Sequence, residues 1–295
     1  MKVPANRKEI GKLKNLIVTA DDFGLAPEVN EAVELAHRNG ILTAASLMVG
    51  AEATADAIER ARRLPSLGVG LHVVLVEGRP LLPPAAVPDL VDEQGEFSTH
   101  LVRAGVRFFF RSRVRRQLRD EIRAQFEAFS ATGLPLDHVN AHNHMHLHPS
   151  VLALILEVGR EFGLAAVRVP YEPPLASWGA ARTAFARRLL ASAFLAPWIG
   201  LLRRRLARAG LKSNEFAFGL HDSGNMDAAL VTRFLQRLPD GVTEMYFHPA
   251  TARSPQTERY MPTYRHEAEL QALTSPSVME ALRATGARRI AFGDL

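Results

Sequence analysis

Short apolar runs alternate along this chain with longer stretches in which apolar residues return every three or four positions. The first run, Asn15–Ala20 (NLIVTA), reads as a buried strand. Residues 27–39 predict a helix, with Pro27 at its start, Val29, Ala32, Val33 and Ala36 on one face, and Gly40 as its stop. The same rhythm continues with a strand at Thr43–Val49, a helix at Ala53–Leu64 and a strand at Gly68–Val76. A Pro-rich loop, Pro80–Pro88, precedes a long helix over His100–Thr132, stopped by Gly133. Then come a strand at Leu136–Ala141, a helix at Pro149–Phe162 and a strand at Ala165–Val169. After a basic segment the pattern predicts strands at Glu215–Gly219, Val242–Phe247 and Arg288–Phe292. Helices are expected at Met226–Leu238 and around Glu267–Leu273 and Pro276–Ala284. Repeated strand-then-helix units imply a parallel sheet with helices outside. About seven units fit a complete or slightly deficient (β/α) barrel, or a doubly wound open sheet. Neither G-x-G-x-x-G after a strand nor G-x-x-x-x-G-K-[ST] occurs, so a nucleotide-binding version loses its main support.

Composition narrows the chemistry. The 295 residues include no cysteine, which excludes disulfides, Cys-ligated zinc, iron–sulfur clusters and a thiol nucleophile. The net charge is +5, but the charge is not spread evenly. Residues 173–214 hold no Asp or Glu and carry +8, so the remaining residues sum to −3. No recognised nucleic-acid motif accompanies the charge, so no nucleic-acid partner is expected. Met1 to Lys14 is polar and basic, and Leu16–Ala20 is too short for a signal-peptide core. The longest apolar stretch, Leu189–Leu202, is broken by Pro197 and Gly200 and falls short of the ~20 residues of a spanning helix. A single domain in the cytoplasm is the expectation.

The polar residues with chemical potential sit at strand ends. Asp21–Asp22 closes the first strand, just before Phe23-Gly24-Leu25. Neighbouring side chains on a strand face opposite ways, so one carboxylate could bind a metal while the other acts as a base. A solvated turn that caps the next helix is the plainer reading. His72 interrupts an apolar strand, where a satisfied core histidine is the usual explanation. The run from His138 to Pro149 holds five of the 11 histidines. It reads as metal ligands with neighbouring proton-transfer or substrate groups; His144 and His146 are the substrate-binding candidates. His248 ends another strand, and Arg168 could orient a carboxylate bidentately. In a barrel such strand ends meet at one face. One carboxylate and two imidazoles with open positions suit a catalytic divalent metal, Zn or Mg. Metal-assisted hydrolysis follows, with amide, ester and phosphoester all open.

Thr19-Ala20-Asp21-Asp22-Phe23-Gly24-Leu25 with Asn30, Gly40-Ile41-Leu42-Thr43, Gly70-Leu71-His72, the His138–Pro149 run and Phe247-His248-Pro249 resemble the YdjC-like carbohydrate deacetylases, the ChbG group. The resemblance runs nearly the whole chain, in order. It implies a variant (β/α) barrel and hydrolysis of the N-acetyl group of an amino sugar. By position it makes Asp22, His72 and His142 the metal ligands, Asp21 the general base and His248 the candidate general acid. Arg168-Val169-Pro170-Tyr171 is similar to an R-x-P element of the wider polysaccharide deacetylases, whose arginine orients the base. The basic segment departs from the chitooligosaccharide deacetylases. With Leu75–Pro80 and Gly219–Met226 it is closer to the hopanoid-biosynthesis branch, HpnK, which implies an N-acetylglucosaminyl hopanoid or similar glycolipid as substrate.

That segment has the composition of an inserted helical arm that lies in a headgroup zone, apolar residues down and arginines against anionic phosphates. On this reading the protein is peripheral at the inner membrane face. The other reading is a helical hairpin, bent at Pro197, packed on the barrel or forming a homodimer contact. A scaffold within a lipid-synthesis complex and a phosphoester hydrolase at the same metal are the competing functions.

Overall fold

The computed structural model describes residues 13–295. The N-terminal stretch read for a leader therefore lies, up to Lys12, outside the described residues. The first half of the chain alternates β1 (Lys14–Phe23), α1 (Pro27–Asn39), β2 (Ala44–Leu47), α2 (Thr54–Arg62) and β3 (Gly68–Val73). After a long loop come α3 (Leu101–Phe110), α4 (Ser112–Ala131), β4 (Val139–Ala141) and α5 (Pro149–Gly159). The helix expected over 100–132 is thus two helices, because Arg111 takes an extended conformation between them. The arm is α6 (Pro174–Ala181) and α7 (Phe185–Ala209). The chain closes with β5 (Phe216–Phe218), α8 (Ala228–Leu235), β6 (Gly241–Phe247), α9 (Pro255–Tyr260), α10 (His266–Thr274), α11 (Pro276–Thr285) and β7 (Arg288–Arg289).

All strand pairs are parallel, in the order β4-β3-β2-β1-β6-β5, with β7 paired to the first residues of β1. The sheet curls, and residues 165–171 bridge its two edges. On one side Val139 N–H donates to Ala166 and Arg168 N–H to Val139; on the other Val167 N–H donates to Lys212 and Ala217 N–H to Tyr171. The strand expected at Ala165–Val169 exists only as these single bridges, and the Asn214 side chain completes them by bonding both N–H and C=O of Val169. The expected closing strand, Arg288–Phe292, keeps two ladder residues.

Alternation along the strands sorts side chains into two populations. Leu16, Val18 and Ala20, Leu71 and Val73, Val139 and Ala141, and Met245 and Phe247 belong to the large core beneath the helices. Their neighbours face the barrel axis. At the lower end of the axis Ile17, Ala44, Ala166, Ile290 and Phe292 form a small separate apolar cluster. Two residues further along the same strands stand Thr19, Ser46, Arg168 and Glu244, all buried. Beyond those are Asp21, His72 and Asn140. The axis therefore changes from apolar to ionised towards the carboxyl ends of the strands, where parallel barrels place their sites. Gly70 makes room in this column: a Cβ there would lie 2.5 Å from the His138 ring.

The arm is anchored along one side only. Ile199, Leu202 and Leu206 are buried in the main core, and Arg188 is fully buried. Pro197 is not at a bend; it lies inside the continuous 25-residue α7. The reversal falls instead at residues 182–184, where Arg182 and Ala184 take left-handed conformations.

Candidate metal centre and active site

The turn after β1 sets the site. Asp22 has φ +60°, and the β1–β2 register slips between Ala20 and Phe23. This break in alternation is why two adjacent carboxylates, expected on opposite faces, serve one site: Asp21 lines the axial cavity and Asp22 meets His72 and His142, which also line it. Asn30 on α1 holds the turn: its Oδ1 accepts Gly24 N–H at 2.8 Å, and its Nδ2 donates to Ala53 O and Asp56.

Asp22 Oδ1 lies 3.2 Å from His72 Nε2 and 3.2 Å from His142 Nδ1, and those two nitrogens are 3.3 Å apart. The second oxygen, Asp22 Oδ2, is buried without a hydrogen-bond partner among the described residues. Tetrahedral ligand atoms on bonds of about 2.0–2.1 Å stand about 3.3–3.4 Å apart, so the triangle fits three ligands of one small cation. The tautomer of His72 follows from its neighbour. Asn140 spends its amide nitrogen on Asp21 Oδ1 and Ser46 Oγ, so its oxygen accepts from His72 Nδ1 at 2.7 Å. His72 Nε2 is then the lone-pair nitrogen, aimed at the triangle. His142 turns its Nε2 towards Glu77, 3.6 Å away. Burial disfavours a charged His142, but Asp22 and Glu77 outweigh it, and its pKa is pushed up to about 10. A metal held there would take the place of a proton on His142.

Asp21 is built differently. Arg168 grips both its oxygens and, through Nε and Nη2, both oxygens of Glu244. Glu244 also accepts the Thr19 hydroxyl at 2.7 Å, and the guanidinium lies 4.7 Å from the Tyr246 ring centroid. Burial opposes an ionised Asp21, yet Arg168 holds its carboxyl well below the usual range. Asp21 is therefore a fixed anion with a fixed orientation.

A cavity of about 220 Å³ opens above these groups and is lined by Asp21, His72, His142, His144, Tyr246 and His248. His144 Nε2 is 3.1 Å from the Tyr246 hydroxyl. His248 packs edge-on to Tyr264, its Nδ1 3.5 Å from Ser223 Oγ, and burial favours its neutral form. His146 is placed apart: it is fully buried, edge-on to His144, and outside the cavity lining, so it is not positioned to touch a substrate. A second cleft of about 100 Å³, with Leu25, Met48, Val74 and Leu81 among its walls, shares Glu77 and Tyr260 with the first.

The structure adds residues that the sequence reading left without a role. Asn140 sits between His138 and His142 on the strand face that alternation predicts, and a charged Glu244 inside an apolar strand was a second available signal. Glu77 shows itself only in three dimensions, through a left-handed backbone and its contact with His142. Glu269, on α10, accepts the His248 and Met226 N–H groups; burial raises its pKa to about 7.

Comparison with known proteins gives a consistent picture. The profile of the family described as YdjC-like protein matches residues 15–284. A carbohydrate deacetylase of Geobacillus stearothermophilus is 31% identical over 94% of this chain and 96% of its own length. A carbohydrate deacetylase of Brevibacillus brevis is 40% identical, but the match covers 54% of this chain and 59% of that protein. A crystal structure from Enterococcus faecalis V583, named for cellobiose-phosphate cleavage, superposes with TM-score 0.75 at 23% identity, covering 96% of this chain and 98% of that one; it supports the fold alone.

Proposed function

This chain belongs to the YdjC-like protein family, and on that footing we propose that it is a metal-dependent hydrolase that removes the acetyl group of an N-acetylated amino sugar. The observation that carries the reading is the Asp22–His72–His142 triangle set beside the ionised Asp21. The deacetylase names of the relatives support the substrate class.

Asp22, His72 and His142 would hold the ion; two imidazoles and a tetrahedral spacing favour Zn over Mg, which prefers oxygen ligands in an octahedron. When bound there, a divalent ion supplies Lewis acidity towards the acetamide carbonyl and acidifies water. Asp21, held ionised and aimed by Arg168, accepts the proton lost by the attacking water. His248 lines the same cavity and is the candidate donor to the departing amine, after it has itself taken up a proton. His144, which lines the cavity and meets the Tyr246 hydroxyl, is the candidate contact to the sugar or the acetyl group. The apolar cleft that joins the cavity at Glu77 gives room for whatever the sugar carries.

The finer reading is a lipid-linked sugar, such as an N-acetylglucosaminyl hopanoid. Its support is the likeness of Leu75–Pro80, Gly219–Met226 and the arm to the hopanoid-associated branch. The test is acetate release from an N-acetylglucosaminyl glycolipid, from a soluble N-acetylglucosaminide and, as control, phosphate release from a phosphoester. Release of acetate, lost on chelation and restored by a divalent ion, is expected. Undiminished acetate release from fully metal-stripped protein overturns the metal assignment, and phosphate release alone overturns the substrate class.

A further inference from the structure

The surface of the arm is unlike the rest of the molecule. Seven of the eleven exposed large hydrophobic side chains among the described residues lie between Leu175 and Trp198. Leu190 and Phe194 are 70% and 74% exposed. Leu190, Phe194, Trp198 and Leu201 follow one another at intervals of four, four and three, so they form one stripe of α7. Arg187 stands one turn before that stripe, and Arg204 and Arg208 continue it at intervals of three and four. The opposite side of the helix carries the buried Ile199, Leu202 and Leu206. Trp178 of α6 meets Phe185 at the start of α7 edge-on at 5.1 Å, and both rings are partly exposed.

We propose that this face docks on an anionic lipid bilayer, with α7 lying in the headgroup zone parallel to the membrane. Contiguous exposed apolar surface calls for a partner. Length and composition alone would let α7 cross a membrane. Its inner side is committed to the core, however, and Arg188 is held by Glu172, Ser177 and Asp222. The apolar part of the stripe, Leu190 to Leu201, rises only ~17 Å, against about 30 Å of bilayer hydrocarbon. It suits shallow burial with an arginine at each end.

Charge selects the bilayer over a second copy of the chain. Residues 173–214 contain no Asp or Glu, so two copies meeting through this stripe would set Arg187, Arg204 and Arg208 against their own kind. Lipid phosphates pair with all three. The arm also touches the catalytic cavity at one remove. Glu172, bound to Arg188, accepts the N–H of Leu220 and His221, and Leu220 lines that cavity. A docked arm is thus tied through Arg188 and Glu172 to one wall of the active-site cavity. This deepens the glycolipid reading and rests on it for the substrate, but not for the docking itself.

Both tryptophans of the chain, Trp178 and Trp198, belong to the arm, so intrinsic tryptophan fluorescence reports on the arm alone. The full chain is mixed with phosphatidylglycerol/phosphatidylcholine vesicles and with phosphatidylcholine vesicles, and binding is read by sedimentation and by a blue shift. Binding to the anionic vesicles, weakened by salt, is expected. Joint Arg187→Gln, Arg204→Gln and Arg208→Gln should weaken it roughly 100-fold. Joint Leu190→Ser, Phe194→Ser and Trp198→Ser should abolish it, with turnover of a soluble N-acetylglucosaminide unchanged in both. No binding, or binding indifferent to these changes, overturns the proposal. So does a dimer in light scattering that the apolar triple variant dissociates. Failure of deacetylation with vesicle binding intact would count against the enzymatic reading and not against docking.

Discussion

The barrel axis and the arm invert the usual arrangement of a globular protein in opposite senses. The axis places Asp21, Arg168 and Glu244 inside, and the arm places Leu190, Phe194 and Trp198 outside. Inside, these three charges answer one another: Arg168 binds both carboxylates, and Glu244 takes a hydroxyl as well. Outside, the apolar stripe has none within the described residues. Arginines make the contrast sharp, because Arg188 and Arg187 are adjacent on α7. Arg188 is buried against Asp222 and Glu172, while Arg187 is exposed. Buried ions answered from within serve a fixed geometry, and uncovered apolar surface points to something outside the chain.

The largest effect should come from the axis. Asp22→Ala or His142→Ala is expected to bring deacetylation to background, a loss on the order of 10³-fold or more, and to remove bound metal by elemental analysis. The arm's Arg204→Gln should leave soluble-substrate turnover at wild-type level. Equal losses in both would erase the distinction between the two regions.

Stability gives the next contrast. Arg168→Met strands two buried carboxylates and should cost about 3–5 kcal/mol in urea unfolding. Phe194→Ser, on the exposed stripe, should leave the urea midpoint unchanged or raised. A neutral Arg168→Met would mean that the axial ions are not interdependent.

A smaller effect concerns pH. Burial lowers the pKa of His144 to about 3 and that of His146 well below its usual value, so both stay neutral in the folded protein. Below about pH 6.5 the unfolded chain takes up those protons and the folded one does not. Unfolding free energy therefore falls as pH drops from about 6.5, by about 1.4 kcal/mol per unit for each histidine. His142 acts on the other side: its contribution is complete below about pH 6.5 and is lost as pH rises through about 10. Urea titrations of metal-free protein between pH 6.5 and 5 should show His146→Phe with a slope shallower by one proton. Arm variants should keep the wild-type slope.

Much of the axis was legible because a strand has a period of two. Ile17, Thr19 and Asp21 alternate with Leu16, Val18 and Ala20 in the sequence just as they do between the two cores. The strand-end positions of Asp22, His72 and His142 follow from the same reading. Two things escaped it. The φ of Asp22, which brings both carboxylates to one site, is a local exception to alternation that no periodicity announces. The bridge at 165–171 is held partly by the Asn214 side chain, a long-range substitute for ladder bonds. On the arm, composition disclosed the charge and the exposed apolar residues but misplaced the turn. Pro197 fits within the helix, and the reversal uses left-handed Arg182 and Ala184, neither a typical turn residue.

The two-residue alternation also sets how this chain tolerates change in length. Deleting one residue from the middle of β1 would present Leu16 and Val18 to the axis and send Thr19 towards the helices, exchanging the ionic column for its greasy shell in a single edit. A like-for-like exchange of one apolar residue for another in the same strand would shift nothing. Strand length is thereby held under tighter constraint than strand composition, and the bulge at Ala20–Phe23 is the point where an extra residue is absorbed rather than forbidden.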